Sequence, residues 1–349
     1  MKRIGYLYDK ICDIDNIKLA IMKASLGKRN KPFVREVIGH VDECAIAIQR
    51  MLVNKEYHPS PYKISNILDG ACKKERTIHM PRFFPDQIIH WALMLQLQTV
   101  IMRGMYTFSC GSIPGRGTSY AQKYLRRWID NDYRGTKYCL KMDISKFYPS
   151  INQTILEGMF RKIIKDKDCL WLIDTIIESV EKGLPIGNYT SQWFSNYFLQ
   201  GLDHYIKEEL SAKYYIRYID DLVILGGNKR ELHKIKSGIT QYLANMDLIV
   251  KDNWQVFKIS SRDIDFLGLR FYRDRTTLRK RNALRIRRRV RRISKKNDLN
   301  YPDACAIISY WGWLKRSDSY EFYHHLVRPF VNIQQAKRRI SYYAKTANL

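Results

Sequence analysis

The chain has 349 residues, 45% of them hydrophobic, and its 61 Lys and Arg against 34 Asp and Glu give a formal charge of +27. That length suits two or three packed subdomains, and so large a basic excess implies a polyanionic partner, nucleic acid ahead of an anionic membrane surface. The seven cysteines (Cys12, Cys44, Cys72, Cys110, Cys139, Cys169, Cys305) never fall in CxxC spacing, which excludes a zinc ribbon or a disulfide framework and implies a reducing cytoplasm.

The start, MKRIGYLYDKICDIDN, places charges where a signal peptide needs an apolar core, and residues 1–60 alternate helical stretches with short basic loops such as LGKRNKPF. KKERTIHMP reads as a short strand, Pro81 and Pro85 break the pattern after it, and a helix begins near Asp86. Its apolar stretch, IIHWALMLQLQTVIM, is too short to span a membrane and carries His90, Gln96 and Gln98, so it is a core helix. FSCGSIPGRGTSYAQKYLRRWI is a glycine-punctuated loop feeding a helix, and TKYCLKMDISKFYPSI is a strand ending at Asp143 before a turn. GLPIGNYTSQWFSNYFLQGLDHYI is a loop followed by an amphipathic helix.

Next, Tyr214, Tyr215 and Ile216 and the run Leu222 to Leu225 flank Asp220-Asp221 as two stretches of β-formers, ended by Gly226-Gly227. A helix from about Glu231 and two strands, NWQVFKI and DFLGLRFY, complete an α+β arrangement with helices on one face of an antiparallel sheet. From about Thr276 the chain reads as helical and very basic. LRKRNALRIRRRVRRISKK contains no acid, while Ile286, Val290 and Ile293 recur at helical spacing. One face can dock on a core, leaving Arg285, Arg288, Arg289 and Arg292 for backbone phosphates.

Asp-Asp is a common turn dipeptide, so by itself the pair reads either as a solvated hairpin tip or as part of a divalent-metal site. Adjacent carboxylates between buried strands repel and lose hydration unless positive charge offsets them. Asp143, at the end of its own apolar strand, is the natural third acid. With Asp220 and Asp221 it would make a carboxylate cluster able to hold two divalent ions roughly 3.5–4 Å apart for in-line phosphoryl transfer.

RYIDDLVIL resembles the YxDD hairpin of reverse transcriptases, and LKMDISKFYPSI resembles the strand-turn that supplies their first metal-binding aspartate. RTIHMP, FSCGSIPGRG, GLPIGNYTSQ and DFLGLRF resemble, in order, the fingers motifs, the template-side loop and the primer-side strand pair of that family, over about residues 70 to 275. The resemblance implies a right-hand polymerase fold: an N-terminal helical extension at 1–60, fingers and palm at 61–275, and a basic helical thumb at 276–349. LPIGNYTSQ, SCGSIPGRG, KDNWQVF and YWGWLKRSDSYEFY are similar to the branch found in diversity-generating retroelements.

That resemblance implies roles for particular residues. Asp143, Asp220 and Asp221, with the backbone carbonyl of Ile144, would hold two Mg²⁺ ions, Mn²⁺ suiting the same oxygen donors. Arg76, and Lys74 beside it, would clamp the incoming triphosphate; Tyr148 would be the aromatic gate against a 2′-hydroxyl. Gly187 would let the backbone approach the nascent base pair, with Ile186 and Gln192 on the same nucleotide-side loop. Arg116 of the template-side loop joins the thumb arginines as a nucleic-acid contact.

Two departures from the wider family stand out. Isoleucine at 186 replaces the usual glutamine, substituting shape for polar discrimination, which accords with the branch's misincorporation opposite template adenines. Trp254-Gln255 occupies the place of a lysine-threonine pair, so the usual general-acid lysine is missing, although Lys251 and Lys258 flank it. Implied partners are dNTPs, a primer-template duplex, a template-repeat RNA and a small basic accessory variability protein. Retron-like or phage-defence enzymes, and a non-catalytic RNA-binding scaffold with a relict palm, are the other readings. Trp311, Trp313 and Tyr320 are expected in the thumb core rather than as base-stacking groups.

Overall fold

The computed structural model describes residues 3–69 and 74–346, apart from the side chains of Asp69, Lys74 and Thr346. Four helices come first: α1 (Tyr8–Cys12), α2 (Ile14–Ser25), α3 (Pro32–Gly39) and α4 (Val41–Val53). The Asp13 carboxylate caps α2 by accepting from the amides of Asp15 and Asn16, satisfying donors that the first turn leaves open. Ile17, Ala20, Ile21 and Ala24 then recur on one buried face. They pack against α5 (Ile88–Met102), which is apolar nearly all round and accordingly buried in the protein interior. Among the described residues no helix is long and apolar enough to cross a membrane. The helices of residues 1–60 share one hydrophobic core with α5 and one face of the central sheet, while the C-terminal third packs in separate clusters.

Between α4 and α5 a two-stranded hairpin, β1 (Lys63–Asp69) and β2 (Lys74–Met80), pairs antiparallel from Lys63↔Met80 to Asp69↔Lys74. The central sheet has the order β3-β5-β6-β4-β7, built from β3 (Ser109–Cys110), β4 (Tyr138–Asp143), β5 (Tyr214–Tyr218), β6 (Asp221–Gly226) and β7 (Gln255–Lys258). All neighbours run antiparallel except the short β3–β5 pair. Most helices gather on one face: α5, α8 (Gln153–Ile163), α9 (Lys167–Ile177), α10 (Tyr189–Phe198), α11 (Gln200–Glu208) and α12 (Lys229–Ala244), with α7 (Phe147–Ser150) a single turn after β4. Leu140, Met142, Leu222 and Ile224 point into that core.

The opposite face is covered as well. Cys139, Ile216, Val223 and Leu225 pack with α6 (Thr118–Asn131) and a second, three-stranded sheet. Burial on both sides explains why β6 reads as an unbroken apolar run rather than an alternation.

The C-terminal third departs from the sequence-based expectation in three places. DFLGLRFY, one strand by its local pattern but a strand pair by the family resemblance, is two strands, β8 (Ile264–Phe266) and β9 (Leu269–Phe271), because Leu267 and Gly268 both adopt positive φ and close a two-residue hairpin. Thr276 does not open a helix: β10 (Thr276–Leu278) pairs with β9, and the β-branched threonines suit that edge. The helical part begins at α13 (Lys280–Ser294) and continues through α14 (Tyr301–Leu314), α15 (Tyr320–Leu326) and α16 (Ile333–Thr346). Trp311 and Trp313 are partly buried against the core, but Tyr320 is 71% exposed and lies on the His324 ring.

Candidate active site

The three acids converge because of strand register. In the β4–β6 ladder Asp143 is the direct partner of Asp221, so the end of one strand meets the start of the other. The β5–β6 hairpin closes at Tyr218↔Asp221, leaving Ile219 and Asp220 as a two-residue turn. Ile219 carries φ 57°, which a β-branched side chain adopts only under constraint. Its amide donates to the Cys110 carbonyl at 3.2 Å, and the Ile144 amide donates to the Asp220 carbonyl at 3.2 Å. Both sides of the turn are thus held by neighbouring strands.

The Asp-Asp pair is no solvated tip. The Asp221 side chain is 22% exposed and its Oδ1 is buried without a hydrogen-bond partner, while Oδ2 lies 3.4 Å from Lys141 Nζ. Burial pushes the Asp221 carboxyl up to about 6; Lys141 opposes the shift, and Asp143 and Asp220 reinforce it. Asp220 is also raised by burial and by Asp143, against the pull of Lys251 and Arg76.

Two lysines engage the acids: Lys251 Nζ donates to the Asp143 carboxylate, and Lys141 Nζ also donates to the Asp265 carbonyl. Among the described residues no three acidic, histidine or cysteine side chains close around one point in this arrangement. The donor chemistry nonetheless fits a hard divalent cation. Three carboxylates stand at adjoining strand ends, two of them engaged by ammonium groups, and a buried oxygen lacks a partner.

The acids stand between two cavities. One, of about 420 Å³, is lined by Arg76, Tyr148, Ile186, Asp220 and Lys251. The other, of about 440 Å³, is lined by Asp143 and Asp221 together with Arg262, Arg270 and Arg279 from the β8–β10 side. The first is framed by a tightly held loop. Gln153 Nε2 donates to the carbonyls of Ile177, Val180 and Gly183, and the Leu184 amide donates to the Tyr148 carbonyl at 2.9 Å. Tyr148 is half-buried, its phenol pushed up by burial, with the Ser195 hydroxyl 3.4 Å from its own. The His79 amide donates to the Ile186 carbonyl at 2.8 Å, docking the fingers strand on this loop.

The remaining expected site residues fall differently. Gly187 does not line the cavity. At φ 137°, a Cβ there would lie 2.1 Å from the His79 carbonyl oxygen, so the close approach of β2 itself demands glycine. Gln192 is exposed on α10, outside the cavity lining. Lys74 opens β2, and its side chain lies outside the described residues.

Arg116 Nη1 donates to the Tyr106 carbonyl at 2.9 Å, so this arginine braces its own loop. Arg285, Arg288, Arg289 and Arg292 line one cavity of about 590 Å³ along α13. Arg289, however, donates to the buried Asp303 of α14, which Lys296 also engages, and so serves helix packing. Arg288 and Arg292 have no partner among the described residues.

The sequence reading missed Arg262, Arg270 and Arg279 of the second cavity, and four further cations. Lys146 and Lys182 line the first cavity and have no ion-pair partner among the described residues. Lys182 carried no signal beyond its loop. Lys141 could have been found, since it lies two residues before Asp143 and so on the same strand face. Arg217, a charge inside an apolar strand, was the fourth. Of the two lysines flanking Trp254-Gln255, only Lys251 reaches the acids; Lys258 is exposed and pairs with Tyr138 at the far end of β4.

A palm sheet with acids at one hairpin, a fingers hairpin above it and a helical thumb beyond define a right-hand polymerase fold. Residues 67–271 match the reverse transcriptase (RNA-dependent DNA polymerase) family, and the chain belongs to that family. It is similar to the retron Ec73 reverse transcriptase of Escherichia coli, 30% identical over 138 residues, covering 36% of this chain and 44% of that protein. The retron Ec48 reverse transcriptase of the same species is 26% identical over 195 residues, covering 54% and 47%. The matched stretch thus spans less than half of either curated relative. Among solved structures, apo telomerase from Candida tropicalis superposes with a TM-score of 0.51 at 13% identity, covering 83% of this chain and 59% of that one. Candida albicans telomerase, solved with a fragment of telomeric RNA, gives 0.50 at 12% identity over 83% and 62%. At such identities these two speak for the fold alone.

Proposed function

We propose that this chain is the reverse transcriptase of a diversity-generating retroelement, copying a template-repeat RNA into adenine-mutagenised cDNA by nucleotidyl transfer. The observation that carries the polymerase reading is that Asp220 lines one cavity while Asp143 and Asp221, its neighbours in the strand register, line the other. An incoming dNTP suits the cavity of Arg76 and Tyr148. A primer 3′ end suits the other, beside the β8–β9 hairpin.

Arg76, Lys146 and Lys182 surround the first cavity with positive charge fit for a triphosphate, Arg76 with a forked donor set. The Tyr148 ring, fixed by the loop stapled to its carbonyl, would collide with a 2′-hydroxyl. Divalent ions held by Asp143, Asp220, Asp221 and the Ile144 carbonyl, Mg²⁺ or Mn²⁺, would supply the charge that acidifies the attacking 3′-hydroxyl and neutralises the departing pyrophosphate. Lys251, which donates to Asp143 and lines the same cavity, would add an ammonium on the side of the pyrophosphate. Arg285, Arg288 and Arg292 offer phosphate contacts along the thumb.

The subtype rests on Ile186. Its apolar side chain lines the nucleotide cavity, where a glutamine would add hydrogen bonds to the template side. A retron-type enzyme is the second reading, favoured by the Escherichia coli retron relatives. The deciding experiment is cDNA synthesis on a defined RNA template with Mg²⁺ and all four dNTPs, with the neighbouring accessory protein and RNA supplied and Asp220→Asn as control. Substitutions concentrated at template adenines, reduced by Ile186→Gln, support the retroelement reading. Faithful cDNA moves the enzyme to the retron class, and no cDNA under any condition sinks the polymerase reading.

A further inference from the structure

The catalytic turn rests on a buried charge that the chemistry above does not use. Arg217 is fully buried on β5, two residues before Ile219. Its five N–H groups are all engaged. Nε donates to Asp203 Oδ1 at 2.8 Å, and Nη2 donates to Asp203 Oδ2 and Ser109 Oγ, both at 2.6 Å. Nη1 donates to Asn196 Oδ1 at 3.1 Å and to the Ile219 carbonyl at 2.9 Å. Asp203 also accepts from the Tyr215 hydroxyl at 2.7 Å, and Asn196 Nδ2 donates to the Gly111 and Gln192 carbonyls. One guanidinium therefore joins α10, α11, β3 and the strained residue of the turn. The Ile219 side chain in turn rests on Gly111, where a Cβ would sit 2.9 Å from Ile219 Cδ1.

We infer that Arg217, held by Asp203, is a positioning residue: it clamps the Ile219 carbonyl and so keeps this isoleucine at positive φ, aiming Asp220 and Asp221 at the metal site. A buried ion pair is a poor source of net stability, because the desolvation of both partners offsets their attraction. Its geometric result is different in kind. Without the clamp, a β-branched residue relaxes toward negative φ, and the two carboxylates lose their shared direction.

The inference rests on the polymerase reading, and its test separates the two. Arg217→Lys keeps the charge opposite Asp203, but three donors on one nitrogen cannot serve Asp203, Asn196, Ser109 and Ile219 together. The expected result is a folded protein with unchanged primer-template affinity and unchanged KM for dNTP. Its kcat falls by about 100-fold, and its Mn²⁺ affinity, read by electron paramagnetic resonance without any substrate, falls by about tenfold. Adding Ile219→Gly to Arg217→Lys should restore part of both losses, since glycine holds positive φ unaided; a purely structural arginine would show no such rescue.

If Arg217→Lys does not fold, Arg217→Met with Asp203→Leu removes both charges together and carries the same expectation. Mn²⁺ affinity equal to wild type in the folded variant overturns the inference. Wild type that binds Mn²⁺ but makes no cDNA overturns the polymerase reading, while the Mn²⁺ comparison still decides the role of Arg217.

Discussion

Asp221 should destabilise the protein it serves, and the effect has a defined pH window. Its carboxyl is raised from an ordinary 3.8 to about 6, chiefly by burial. Between those values the folded chain keeps a proton that the unfolded chain has released. Stability of the metal-free protein therefore falls as pH rises through this window, and levels off above it. Asp221→Asn removes the titration and keeps the shape. The variant should match wild type near pH 4 and exceed it by up to about 3 kcal/mol at pH 7. The 22% of the side chain left exposed makes that figure an upper bound, and Lys141 loses a partner in the variant, which subtracts further. Urea unfolding midpoints of both proteins in EDTA, across pH 4 to 7.5, measure the difference. A variant that is less stable than wild type at pH 7, or a difference independent of pH, would refute the reasoning. On the proposed function, the same variant should also lose cDNA synthesis, a trade of stability for function.

The geometry sets three further outcomes. On the proposed function, Tyr148→Ala should open the Arg76–Tyr148 cavity to a 2′-hydroxyl, lowering the dNTP-to-rNTP ratio of kcat/KM by about tenfold or more, equivalent to at least 1.4 kcal/mol of lost discrimination; competing incorporation of the two nucleotides measures it. Gly187→Ala forces a methyl against the His79 carbonyl, so the fingers strand must shift; the variant should bind dNTP more weakly and melt earlier by more than about 1 kcal/mol, seen by thermal melting and nucleotide titration. Arg288→Gln with Arg292→Gln should weaken primer-template binding and reduce the slope of log K against log salt by about 0.9 for each duplex phosphate no longer neutralised. By contrast, Arg289→Gln should chiefly lower thumb stability, because Asp303 is buried and keeps only Lys296. Equal salt slopes for both variants would contradict this division.

Much of the architecture was legible in the chain. β4, the β5–β6 hairpin and the core helix α5 announced themselves through apolar runs bounded by turn residues. The acids Asp143, Asp220 and Asp221 stood out because charge inside such runs needs a reason. Local pattern also misled. DFLGLRFY looked like one strand, since nothing but a single glycine marks the Leu267-Gly268 turn. Thr276 looked helical because the basic helix beyond it dominated its surroundings.

What only the tertiary structure decided is who meets whom. Register made Asp143 and Asp221 ladder partners. Packing against β2 gave Gly187 its necessity. A buried acid on the next helix took Arg289 away from the solvated arginine stripe. Lys141 and Arg217 gained their roles from Asp221 and Asp203, which stand 80 and 14 residues away in sequence. Periodicity reports which side of an element faces the core, because that depends on one residue and its near neighbours. The pairing of charges depends on contacts between distant segments, and no local pattern encodes those.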